Sequence, residues 1–122
     1  MIQQEGPGWR LAHDSSRNDF PFLIGGDCWA VELSEVEAIG LRTLLVELEN
    51  QLKKIRDQLM DEESITLELE QRDWWGCLDG SRDRWGLQVM LSSTDEQRRG
   101  LEVAWPAPTA QAFLAALRTV WD

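Results

Sequence analysis

The sequence predicts an α+β fold with antiparallel sheets in the order β3-α-β4-α, and three observations support this. Apolar residues alternate with period two through residues 9–33 and again through 65–105. A strict heptad run separates these two stretches, and a second helical pattern closes the chain. Strands that arrive in consecutive runs with short links pair antiparallel, so the order describes two sheet-plus-helix units and not a doubly wound parallel sheet. The two halves share no sequence identity that would make them a true repeat.

Taken in order, Trp9, Leu11 and His13 alternate with Arg10 and Ala12, Phe20, Phe22 and Ile24 form a second run, and Trp29, Val31 and Leu33 form a third. The stretch Asp14-Ser15-Ser16-Arg17-Asn18-Asp19 is a turn-forming link, because its side chains bond their own backbone. Gly25-Gly26-Asp27 predicts a hairpin whose glycines supply a positive φ. Ser34 with Glu37 then spells a capping box, which starts a helix over about 34–60. Ala38, Leu41, Leu45, Leu48, Leu52, Ile55 and Leu59 follow at spacings of 3 and 4. Glu35 and Glu37 suit the positive end of that helix, and Lys53, Lys54 and Arg56 the negative end.

Beyond Asp61-Glu62-Glu63-Ser64 the period returns to two. Ile65 to Leu69, Trp74 to Leu78, Trp85 to Leu91 and Leu101 to Trp105 read as four strands. Asp79-Gly80-Ser81-Arg82 is a hairpin turn and Ser92-Ser93-Thr94-Asp95 a loop, while Gln71-Arg72-Asp73 fits either a tight turn or a kink. Pro106 and Pro108 end the last strand, and Ala110, Phe113, Leu114, Leu117, Val120 and Trp121 line the apolar face of a helix at about 107–121.

The 122 residues suit a single domain, 1–122, which removes roughly two-thirds of its unfolded surface from water. A net charge of −10 with a pI near 4.5 repels phosphate backbones and anionic bilayers. The acid is concentrated in the first half, with six basic and fifteen acidic residues up to Glu70 against six and seven thereafter. Residues Met1 to Pro7 carry neither the basic nor the apolar region of a signal peptide, and no apolar run approaches the roughly 18 residues of a membrane span. A cytoplasmic protein without a membrane partner is expected, with Cys28 and Cys77 as reduced thiols.

Catalytic signals are absent. His13 is the only histidine, and neither cysteine has the flanking residues of a nucleophile, so a dyad would need the fold to bring them together. Two cysteines and one histidine do not close a zinc site, and no phosphate loop, nucleophile elbow or calcium loop is present. No enzyme activity, no cofactor and no metal are therefore expected.

Two features point instead to surfaces. Of the seven tryptophans, Trp74 and Trp75 are adjacent in a strand, so alternation sends them to opposite faces. One enters the core and the other is free for a helix, a subunit or a ligand; the pattern leaves either ring as the outer one, with Trp75 preferred. The other feature is the seam Leu41, Leu45, Leu48, Leu52, Ile55 and Leu59, on a helix of roughly 38 Å set against a sheet of about 20 Å. An overhanging apolar seam calls for either the C-terminal helix or a second subunit, which makes self-association the expectation.

Glu5-Gly6-Pro7-Gly8-Trp9-Arg10, Ile24-Gly25-Gly26-Asp27-Cys28-Trp29, Asp61-Glu62-Glu63-Ser64-Ile65, Trp74-Trp75-Gly76-Cys77-Leu78 and Trp105-Pro106-Ala107-Pro108 together resemble a small family of uncharacterised cyanobacterial proteins of about this length. The resemblance covers nearly the whole chain and implies a fold similar to the Whirly-like single-stranded DNA-binding regulators. It implies no catalytic residues. Single-strand binding would need aromatics beside basic residues, and Arg72, Trp74, Trp75, Arg82, Arg84 and Trp85 are the candidates. The first expectation is a non-catalytic acidic interaction or assembly module that self-associates and meets an unknown protein partner. Single-stranded nucleic acid is the alternative, disfavoured by net charge.

Overall fold

The computed structural model describes residues 1–93 and 99–121. Its first sheet comprises β1 (Ile2–Gly6), β2 (Trp9–His13), β3 (Phe22–Gly25) and β4 (Ala30–Leu33), paired antiparallel in chain order. Helix α1 (Glu35–Ile55) and a 3₁₀ turn (Arg56–Gln58) lead to the second sheet. That sheet is β5 (Ile65–Gln71), β6 (Trp74–Gly80), β7 (Trp85–Ser92) and β8 (Gly100–Trp105), again antiparallel in order, and α2 (Thr109–Thr119) follows. The α+β class and the two sheet-plus-helix units stand as the alternation predicts.

Three local differences have physical causes, and one open alternative is decided. The first sheet has one strand more than predicted, because Ile2-Gln3-Gln4-Glu5 shows no apolar alternation and is held as an edge by pairing with β2. The Gly25–Gly26 turn uses no positive φ, which occurs instead at Gly8, Gly80 and Arg72. Gly26 is needed for room: a Cβ there would lie 2.3 Å from Trp29 Nε1. Helix α1 stops at Ile55, short of 60, and Leu59 is already extended, its carbonyl accepting from Arg82 Nη1 at 2.8 Å. Gln71-Arg72-Asp73 is a tight turn, with Gln71 paired to Trp74 and only Arg72 and Asp73 between them. Of the predicted Ser92–Asp95 loop, Thr94 and Asp95 lie outside the described residues.

The capping box forms as its spacing requires. Glu37 N–H donates to Ser34 Oγ at 3.2 Å, and Ser34 N–H donates to Glu37 Oε1 at 2.8 Å. From there α1 lies across the second sheet so closely that a Cβ on Gly76 would meet Leu44 Cδ2 at 2.8 Å. Helix α2 packs beside α1 and against β2 and β7, and thus on both sheets. One buried cluster runs through both sheets and both helices. Trp105 joins the units, since its Nε1 donates to Gly25 O at 3.0 Å while its ring stacks on Phe113 with centroids 4.0 Å apart. No helix among the described residues is long and apolar enough to cross a membrane.

Candidate interaction surface

The six residues proposed for nucleic acid do not come together. Trp74 is 3% exposed beneath α1, its Nε1 donating to Glu37 O at 3.0 Å, and Trp85 is also buried. Arg72 sits in the β5–β6 turn, whereas Arg82 and Arg84 occupy the β6–β7 turn, the length of a seven-residue strand away, or roughly 23 Å. Arg82 is moreover engaged by Leu59 O and Asp61. Among the described residues no basic groove surrounds the one candidate ring that faces outward, Trp75.

The leucine seam is likewise placed by burial. Leu41, Leu45 and Leu48 are fully buried and Leu52 is 4% exposed, which leaves only Ile55 and Leu59 partly accessible. At 21 residues α1 is about 32 Å long, and its seam is covered by the second sheet and α2 of the same chain. Leu41, Leu45, Leu48 and Leu52 are therefore core residues, and the overhang that would present them to a second subunit is not there.

Strand register shows what the outer face of the second sheet offers. Directly paired residues share a face, so Glu70, Trp75, Met90 and Glu102 form one row across the four strands. Glu68, Cys77, Gln88 and Ala104 form the next, and Thr66, Asp79 and Gly86 the one beyond. Glu68, Glu70, Asp79 and Glu102 are exposed, and none of them is in an ion pair among the described residues. Gln88 Nε2 donates to Glu102 Oε1 at 2.6 Å, which holds one carboxylate beside Met90. Among the described residues this face carries no Lys or Arg. Its field is felt by Cys77, whose thiol is pushed above its ordinary 9.0 by partial burial first and then by the charges of Glu68 and Asp79.

The remaining reactive groups stay apart. His13 stacks flat on Phe22 at 4.1 Å, Cys28 is exposed in the β3–β4 turn, and Cys77 lies on the other sheet. Among the described residues no three His, Cys, Asp or Glu side chains converge as a metal site. A cleft of about 650 Å³ opens between the first half of α1 (Val36, Ile39, Gly40, Thr43) and the β5–β6 turn. The sequence pattern did not reveal it, because its walls come from a helix face and a hairpin 35 residues apart.

No functionally curated protein matches the chain. A crystal structure of a protein of unknown function from Prochlorococcus sp. NATL2A, titled as from the DUF155 family, is similar over 100% of both chains, with 45% identity and a TM-score of 0.92. The family model "Domain of unknown function (DUF1818)" matches residues 4–120, and with nearly the whole chain matched, the protein belongs to the DUF1818 family.

Proposed function

We propose that the protein is a non-catalytic acidic interaction module whose outer β5–β8 face docks a cationic segment of a partner protein. The row Glu70–Trp75–Met90–Glu102 is the observation that supports this reading. A Lys or Arg over an indole gains roughly 0.5–2 kcal/mol, and the two glutamates bracket that position within about three strand spacings, or 14 Å. The apolar Trp75–Met90 pair would be desolvated by the partner while the carboxylates steer its approach. The same face repels a phosphate backbone, which is why a protein segment is favoured over single-stranded nucleic acid.

The test uses anisotropy of a fluorescent peptide of alternating Arg and Ala, titrated with the full chain. Trp75→Ala, or Glu70→Gln with Glu102→Gln, is expected to weaken binding about tenfold or more, whereas Glu62→Gln with Glu63→Gln, in the exposed loop before β5 and off the Trp75 row, leaves it within about twofold. Equal losses from both carboxylate pairs would mean that only net charge is being sensed. A labelled oligonucleotide that binds at low salt with a steep salt dependence, alongside a peptide that does not bind, would reverse the choice of partner.

A further inference from the structure

Strand β5 is an edge of the second sheet, paired on one side with β6 and on the other with no described strand. At seven residues it is longer than the other sheet edges, β1, β4 and β8, which have five, four and six. The phase of the ladder shows which of its backbone groups face outward. Ser81 and Arg84 exchange both backbone bonds, at 2.9 and 3.3 Å, and Ser92 N–H donates to Asp73 O at 2.9 Å. Bonded and non-bonded pairs alternate in an antiparallel ladder, so Asp79, Cys77 and Trp75 bond to β7, while Gly80, Leu78, Gly76 and Trp74 bond to β5. Their partners Ile65, Leu67, Leu69 and Gln71 are thereby bonded inward. Thr66, Glu68 and Glu70 each turn an N–H and a C=O toward the edge, and among the described residues no hydrogen bond from elsewhere in the chain meets them.

The side chains of β5 say what kind of strand this edge accepts. Glu68 and Glu70 lie on the outer face, exposed and in no ion pair among the described residues. Leu67 and Leu69 lie on the inner face and are only partly buried at the margin of the core. Directly paired residues share a face, so an added strand needs basic residues beside the glutamates and apolar residues between them, beside the leucines. A second copy of β5 does not fit, because it would set Glu68 and Glu70 against like charges. The strand also lacks the Lys, Pro or bulge that guards many sheet edges. We propose that a partner strand of alternating basic and apolar residues adds antiparallel to β5 as a fifth strand of this sheet. Every pair in the sheet is antiparallel, and that pairing is the slightly more stable per residue. The basic residues then sit directly opposite Glu68 and Glu70 and exchange both backbone bonds with them. This inference rests on the proposed function for the cationic class of the partner, and it adds the edge, where main-chain bonds supply affinity and alternation supplies specificity.

The experiment titrates the full chain into a labelled peptide of alternating Arg and Val, matched in length to the seven residues of β5. Backbone N-methylation of its arginines should raise Kd at least about tenfold, because those amides face β5, whereas N-methylation of its valines should leave Kd within about twofold. A peptide of the same composition with its arginines in one block should also bind at least about tenfold more weakly. On the protein, Glu68→Pro removes an edge N–H that β6 does not use. It should weaken binding well beyond Glu68→Gln, which loses the same charge and keeps the amide. Unchanged affinity after N-methylation of the arginines, or a block peptide that binds as well as the alternating one, would overturn strand addition. Binding that then still falls with Trp75→Ala would leave the docking face standing, while absence of binding by every peptide would overturn both. Loss on N-methylation of the valines alone would overturn the antiparallel direction.

Discussion

Trp74 and Trp75 differ by one position in β6 and by the whole thickness of the sheet. Trp74 fills the space under Gly40 and bonds Glu37 O, so Trp74→Ala should cost about 3–5 kcal/mol in urea unfolding. Trp75→Ala should cost about 1 kcal/mol or less, as for an outward side chain, and register its effect in peptide affinity. The opposite placement of the two rings was legible in the alternation alone. Which one faces outward was not, because a two-residue turn is usually written Asn-Gly or Asp-Gly, and here Arg72 takes φ 54° with nothing in its chemistry to announce it. Cys77 reports on the same face. Its folded pKa is raised, so the stability it contributes is complete below the ordinary thiol pKa of 9.0 and is lost as the pH rises through the folded value. At pH 8, iodoacetamide should modify exposed Cys28 well before Cys77, and Glu68→Gln should accelerate Cys77 selectively.

Glu37 is where an element's local signal and the tertiary structure meet. The Ser34–Glu37 spacing announced the helix start, but not that the same carboxylate would also receive Arg99, which reaches Glu32 O at 2.7 Å and lies over the Phe20 ring at 4.6 Å. Glu37→Ala therefore removes a cap and an ion pair together, for an expected loss of about 1–3 kcal/mol in thermal unfolding. A double-mutant cycle with Arg99→Ala should show a coupling of at least about 0.5 kcal/mol; strict additivity would mean that the contact contributes nothing. Strands with a buried face were legible because their apolar residues alternate. Edge strand β1 was not, since its pairing rests on backbone hydrogen bonds that leave no trace in side-chain pattern. The leucine heptad was read correctly as a helix and wrongly as an overhang, because helix length says nothing of how α2 folds back over α1.

At the scale of the molecule, the two sheet-plus-helix units are locked by Trp105, by the Arg118–Glu49 contact at 2.7 Å and by the Arg42 bond to Arg118 O at 2.6 Å. That shared core leaves the outer face of the second sheet free, and none of the described basic residues lies on it. Arg17, Arg56, Arg82, Arg99 and Arg118 are all in ion pairs elsewhere, so the sheet face keeps an uncompensated negative field. Composition gave the sign of this field but not its location, which depends on strand register. The most direct measurement is a ¹H–¹⁵N correlation spectrum of the full chain titrated with the Arg-Ala peptide, read at the indole and backbone amides. The Trp75 indole and the amides of Glu70, Cys77, Met90 and Glu102 should shift together, with those of Trp74, Trp85 and Trp105 unmoved. Shifts confined to the Arg72, Arg82 and Arg84 turns, or spread evenly over all exposed acids, would contradict a docking site on this face.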